Sequence, residues 1–230
     1  MAKRLAVLCV LTGVLAAAAT AQTVRAASDC DTYAASEFDR ERKAPGVPLA
    51  NIDPGLAIPA CESAVRQFPQ DSRLIFQLGR AYQKADNFAA AVNEYRKAAD
   101  QGFALAQNNL GFMYQSGLGV PKDPEQAVTW YRKAAEQGLH NAQLALAGMY
   151  LDGQGVPKDL GQAAAWCRKA ADQGLAQAQN ALGWMYKDGV GVPKDLEQAA
   201  AWFGKAADQG LATAQNNLKQ LSRAGLSAAQ

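Results

Sequence analysis

The sequence repeats itself every 36 residues. "KAADQG" starts at Lys97, returns as "KAAEQG" at Lys133, and appears again as "KAADQG" at Lys169 and Lys205. A second motif keeps the same interval: "GLGVPKD" from Gly117, "GQGVPKD" from Gly153 and "GVGVPKD" from Gly189. A period of this length predicts supersecondary units that cannot bury their apolar faces alone and do so by stacking, about three being the minimum. The full units are residues 103–138, 139–174 and 175–210.

Each unit reads as two helices. Leu and Ala dominate and β-branched runs are scarce, which favours helix. In the first helix, Ala106, Leu110, Met113 and Tyr114 fall on one apolar face. Gly117 is placed to end it in the left-handed conformation, and Pro121 cannot continue it. Asp123 suits an N-cap, with Pro124 at the first helical position and Gln126 placed to complete a capping box; Asp159/Gln162 and Asp195/Gln198 repeat that spacing. The second helix runs through Ala127, Trp130, Tyr131 and Ala134 to Gly138. The recurrent Trp130, Trp166 and Trp202 read as packing residues. Leu211–Leu221 reads as a first helix again, so residues 211–230 are expected to be a capping helix and tail.

The order Ala-x-x-x-Leu-Gly-x-x-Tyr, Gly-x-Gly-Val-x-x-Asp, Ala-x-x-Trp-Tyr, Lys-Ala-Ala-x-x-Gly resembles the Sel-one-like repeat family, solenoid cousins of the tetratricopeptide repeat. The resemblance covers about half the chain. It implies an all-α, right-handed α-solenoid of helix-turn-helix repeats. The middle unit departs from it, with Ala147-Gly148 where its neighbours have Gly111-Phe112 and Gly183-Trp184. Residues 53–102 lack the Gly-Val-Pro-Lys-Asp loop and read as plain tetratricopeptide-like units. Asp53-Pro54 can start a helix there, which Pro59 weakens.

The N-terminus reads differently. Lys3 and Arg4 precede the apolar run "LAVLCVLTGVLAAAA" and small residues at Ala19-Thr20-Ala21, the pattern of a secretory signal peptide over residues 1–21; Val24-Arg25-Ala26 is a second cleavage candidate. An uncleaved anchor is the alternative, against which the run is short for a span of ~20 residues. A periplasmic or secreted location is therefore expected, with no integral span in the mature chain. Residues 22–52 are polar and proline-bearing and are expected to be a loop segment. Cys30 and Cys61 are expected to pair and tie that segment to the array, worth about 3–4 kcal/mol in the chain-entropy model. Separate thiols are the alternative, because spacing alone does not fix connectivity. Cys167 is left as a thiol.

Charge and motifs exclude several functions. Of 23 basic residues, Lys3 and Arg4 belong to the leader, leaving 21 against 21 acidic ones. That balance argues against nucleic acid as a partner. The glycine loop is no phosphate loop: Asp195 follows Lys194 where a P-loop needs Ser or Thr, and no strand precedes it. Asp152-Gly153 and Asp188-Gly189 lack the alternating oxygen ligands of a calcium loop. His140 is the only histidine, and beside Cys167 it reads as a surface histidine and a core thiol. No nucleophile, base and orienting group can be named together, so no enzyme, metal site or cofactor is expected.

The tetratricopeptide resemblance implies that the first helices line a concave groove for a protein or peptide. Aligned on the Leu of Leu-Gly, one row across the units is Arg80, Phe112, Gly148, Trp184, Gln220; a second is Phe76, Asn108, Leu144, Asn180, Asn216; a third is Gln83, Gln115, Leu151, Lys187. Aromatic residues and Arg are frequent binding anchors, and asparagine amides pair with peptide backbone. An exported scaffold that binds a protein partner, as a regulator of an envelope protein, is the leading expectation. A cell-wall-associated protein that binds or weakly hydrolyses peptidoglycan-like material is the alternative. The absence of a cysteine pair in each repeat lowers it.

Overall fold

The computed structural model describes residues 28–39 and 44–227, with side chains to residue 223. The expected leader and its cleavage sites lie outside the described residues. Eleven α-helices occur among those described: α1 (Asp29–Ala34), α2 (Pro54–Gln67), α3 (Ser72–Lys84), α4 (Phe88–Asp100), α5 (Ala104–Ser116), α6 (Pro124–Glu136), α7 (His140–Asp152), α8 (Leu160–Asp172), α9 (Ala176–Asp188), α10 (Leu196–Asp208) and α11 (Ala212–Ser227). From α2 onward each helix packs on the one before it and the one after it. Buried residues form four successive clusters along the array. An all-α solenoid spreads its core along its length in this way.

The joints follow from their sequence. Gly117 ends α5 at φ 71°, and both its N–H and that of Leu118 donate to the Met113 carbonyl, at 2.9 and 3.1 Å. The Asp123 carboxylate accepts from Gln126 N at 3.0 Å and starts α6. Gln126 does not complete the expected capping box. The Asp123 N–H is already used across the joint, donating to Tyr114 O at 2.9 Å; Asp159 and Asp195 do the same to Tyr150 and Tyr186. The second glycine of each loop has its own role. A Cβ at Gly119 or Gly155 would run into the backbone carbonyl of Phe88 or Pro124, the first residues of α4 and α6. The loop of one unit thus rests on the start of the preceding unit's second helix.

Three features lock neighbouring helices together. First, a glycine in α3, α5 and α9 faces an aromatic ring. A Cβ built at Gly79, Gly111 or Gly183 would lie 2.6, 2.9 or 2.7 Å from Tyr95, Tyr131 or Phe203. The corresponding pair in the middle unit is Ala147 and Cys167, both buried in one cluster. The larger residue on one side is matched by a smaller one on the other. Second, the buried Gln107, Gln143 and Gln179 donate to the Ala99, Ala135 and Ala171 carbonyls at 3.1, 3.1 and 3.2 Å. Each also accepts from the glutamine 30 residues on, Gln137, Gln173 and Gln209, at 2.7 to 2.8 Å. Third, Arg96, Arg132 and Arg168 donate to the hydroxyls of Tyr114, Tyr150 and Tyr186. On the outer side, Lys133, Lys169 and Lys205 lie 4.1, 3.8 and 3.8 Å over the rings of Trp130, Trp166 and Trp202. These tryptophans are structural.

The N-terminal segment corrects two expectations. α2 forms without a break through Pro59; both Pro59 and Gly55, whose carbonyl the missing N–H would have met, are exposed to water. Residues 22–52 are not loop alone. Ser28 and Asp31 form a reciprocal capping box that starts α1, and Leu49–Asn51 forms a 3-10 turn. The Cys30–Cys61 disulfide is present and buried, with Cα atoms 4.5 Å apart. Cys167 is a buried thiol, and its surroundings push its pKa up to about 12, burial being the dominant cause. No helix among the described residues is long and apolar enough to cross a membrane.

Candidate functional site

Phe112 in α5 and Trp184 in α9 are large apolar side chains left exposed, at 44% and 41%. Between them in the repeat sits Gly148, where an added Cβ would meet nothing within 4 Å. The neighbouring residue of each dipeptide explains the contrast. Leu110, Gly111 and Met113 are buried, and at 100° per residue Phe112 lies on the far side of the helix from them; Gly148 and Trp184 hold the same place in their helices. Asn108, Leu144 and Asn180, one turn earlier, are half-buried. Asn108 donates to Asn109 at 3.3 Å, and Asn180 accepts from Asn217 at 2.9 Å. Asn216 and Lys187 are exposed and half-buried, respectively.

Four residues expected on this face are occupied elsewhere. Gln115 accepts from the buried Tyr131 hydroxyl at 2.8 Å and directs its amide to Met149 Sδ, so it serves the core. Gln83 holds the Tyr95 hydroxyl in the same way. The units without a tyrosine at that position, with Cys167 and Phe203, carry Leu151 and Lys187 instead of the glutamine. Phe76 is buried among rings, 5.6 Å from Tyr95 and 5.2 Å from Phe103. Arg80 is 5% exposed. Its guanidinium donates to the Ala34 and Val47 carbonyls at 2.8 and 2.5 Å. Burial pulls its pKa below the ordinary arginine value, partly offset by Tyr95 and Glu37.

What covers Arg80 is the chain's own N-terminal segment. The buried Asp31 accepts from Gln77 at 3.2 Å and pairs with Arg73 at 3.7 Å. Val47 N–H donates to Ala35 O at 2.8 Å, closing the neck of the segment over Arg80. Beyond the neck, the turn at Glu37–Phe38 projects over the face and separates two clefts. One, of about 220 Å³, lies between Phe38, Phe76, Arg80, Asn108, Asn109 and Phe112. The other, of about 710 Å³, runs past the starts of α5 and α7 and is lined by His140 and Gln173 among others. Sequence reasoning missed Phe38, Asn109 and Asn141, because only the tertiary path of the segment brings them together. Among the described residues no cluster of His, Cys, Asp and Glu could hold a metal ion.

Comparison with known proteins agrees with this architecture. The Sel1 repeat family matches residues 75–103, 104–139, 140–175 and 176–211, together more than half of the chain. A solved structure of c5321, a protective antigen of uropathogenic Escherichia coli with an SLR fold, is 36% identical with a TM-score of 0.69, covering 72% of this chain and 36% of that one. A Sel1 repeat protein from Oxalobacter formigenes is 34% identical with a TM-score of 0.65, covering 68% of this chain and 67% of that one. The "DAP3-binding cell death enhancer 1" of Rattus norvegicus is 39% identical over 51 residues, 22% of this chain. The chain spans about a third of the E. coli antigen and a tenth of the rat protein. With its repeats, joints and stacked helices matched in this way, the chain belongs to the Sel1 repeat family, whose solenoids are commonly protein-interaction scaffolds.

Proposed function

We propose that the protein is an exported scaffold that holds an extended segment of a protein partner on the Phe112–Trp184 face, and that it regulates an envelope protein through this contact. One observation carries the reading. Two large aromatic side chains stand exposed on equivalent positions of alternate units, with an open glycine position between them. Scattered single apolar side chains are ordinary on a surface; these recur at one repeat position on a rigid array. Half-buried asparagines alongside supply amides for a peptide backbone. The signal-like leader and the Cys30–Cys61 disulfide support export, because disulfides persist in oxidising compartments.

A peptide library displayed on phage and selected against the mature chain tests the binding. Selected peptides are expected to lose at least tenfold in affinity on Trp184→Ala or Phe112→Ala, the size of a modest hot spot. Peptides that bind both variants as tightly as the unaltered chain would remove the groove. Export is tested by cell fractionation with mass spectrometry of the mature N-terminus; cytoplasmic protein that keeps residues 1–21 would refute it.

A further inference from the structure

We propose that the Glu37–Phe38 turn of the N-terminal segment is itself part of the partner site, and that with α3 and α5 it forms a pocket for one large apolar side chain of an extended partner segment. The inference rests on the peptide-groove reading and adds a specific subsite to it. Phe38 is the most exposed large apolar side chain of the described residues, at 53%. It stands on one wall of the smaller cleft, with Phe112, itself exposed, and the Phe76 ring on the other.

The turn is held from behind and left open in front. Behind it, the buried disulfide, the Asp31 pairing with Gln77 and Arg73, and the Arg80 bonds to Ala34 and Val47 fix the segment to α2 and α3. In front, Glu37 and Phe38 remain exposed over the cleft. A pocket wall anchored this way is pre-organised, so a ligand does not have to order it. The disulfide therefore acts on recognition as well as on stability.

Size and lining choose the occupant. A helical turn 10–12 Å wide and 5.4 Å long occupies roughly 400–600 Å³. The smaller cleft, at about 220 Å³, cannot take a helix and can take one large side chain. The two clefts share Glu37, Phe38 and Leu105. An extended segment lying in the wider cleft can therefore pass one side chain under Phe38 into the smaller one. The side-chain amides of Asn108, Asn109 and Asn141 line the smaller cleft and match the donors and acceptors of a peptide backbone. The lining is aromatic and amide-rich, with the exposed Glu37 at its edge, which fits an aromatic or large aliphatic residue without an acidic neighbour.

The test uses the mature chain and N-acetyl-L-phenylalaninamide, a side chain with a peptide group on each side. Binding is followed on the asparagine side-chain amide signals by nitrogen-15 NMR. A fragment of this size at ordinary ligand efficiency has a Kd on the order of 1 mM. Saturable shifts at Asn108 and Asn109 are expected, weakened at least fivefold by Phe38→Ala and by Phe112→Ala, and unchanged by Trp184→Ala. Both aromatic substitutions are at exposed positions, so the fold is retained. N-acetylglycinamide should give no saturable shift. Equal responses to the two fragments, or a Phe38→Ala chain that binds as the unaltered one does, would overturn the proposal. If N-acetyl-L-phenylalaninamide saturates only around Trp184, this pocket is wrong while the groove stands. If phage-selected peptides ignore Trp184 and Phe112 alike, the groove itself is wrong.

Discussion

The middle unit offers a quantitative test of how the helices interlock. In its neighbours a glycine in the first helix lies under a ring from the second; here Ala147 faces Cys167. By repeat equivalence, a phenylalanine at 167 would occupy the place of Phe203, and the Ala147 Cβ would lie where a Cβ at Gly183 comes within 2.7 Å of that ring. Real Cβ contacts are longer, so Cys167→Phe alone overpacks the core and costs about 1–3 kcal/mol. Ala147→Gly alone loses about 1 kcal/mol of helix propensity and about 0.8 kcal/mol of buried methyl. Independent effects would sum to roughly 3–5 kcal/mol. Together the changes recreate the Gly183–Phe203 fit, leaving only about 1 kcal/mol of glycine propensity. The coupling is thus about 2 kcal/mol or more in favour of the pair, which places the double variant's Tm about 4–8 °C above additivity for a chain of this size. Thermal unfolding of all four proteins by far-UV circular dichroism measures it. Hydrogen exchange in α7 and α8 checks that the effect is local, since repeat arrays need not unfold as one unit. A double variant that falls within about 0.5 kcal/mol of the summed singles would refute the interlock. Phenylalanine is chosen over tyrosine because Leu151 stands where Gln115 accepts the Tyr131 hydroxyl.

Other consequences are open to simpler measurements. Arg80→Ala leaves the Ala34 and Val47 carbonyls without their cationic donor and should cost about 3 kcal/mol, with hydrogen exchange rising first in residues 28–52 while the disulfide stays intact; unchanged exchange there would remove Arg80 as the anchor. Gly155→Ala meets the Pro124 carbonyl as well as a positive φ, whereas Gly138→Ala meets only the φ. Gly155→Ala should therefore be the more destabilising by about 1–3 kcal/mol in urea unfolding, and equal midpoints would contradict the contact. Cys167, with its pKa raised to about 12, carries on the order of one thiolate in ten thousand molecules at pH 8. An aromatic disulfide reagent should label it only as the chain unfolds, and fast labelling of the native protein would contradict its burial. A raised thiol pKa favours the neutral form in the folded state. Its contribution to stability is therefore full below the unfolded value of about 8.5 and is lost as pH rises towards 12. Cys167→Ala should flatten that alkaline decline, as followed by urea midpoints from pH 8 to 11.

The period, the helix pairs and the joints could be read directly because each depends on neighbours in sequence. Gly117, Asp123 and the 36-residue interval are local signals of helix ends and unit length. The second glycine of the loop could not be read this way, since Gly119 is needed by a carbonyl of the preceding unit. The glutamine ladder was visible as a recurrence, with Gln107 and Gln137 both repeating every 36 residues. Nothing local says that they meet across 30 residues. Gln83 and Gln115 read as groove residues because their partners are distant, although both stand in units with a tyrosine, Tyr95 and Tyr131, where the other units have Cys167 and Phe203. Phe76 and Arg80 lie on the rows that the alignment indicated, Phe76 packed among rings of the array itself. The cover over Arg80 comes from a segment some 30 to 45 residues upstream, held by a disulfide and two backbone carbonyls, and no periodicity reaches that far outside the repeats.

The dipeptide that begins at Gly111, Ala147 or Gly183 divides its labour between its two residues. The first is constrained by the ring it must clear. The second, Phe112, Gly148 or Trp184, changes size from one unit to the next: the two aromatic residues are exposed, and at Gly148 a new Cβ would stand in open space. This helix position is in that sense a row of blank slots on a fixed ruler. Letters can be exchanged there one repeat at a time, changing the surface that the array presents while the spelling of the fold stays the same.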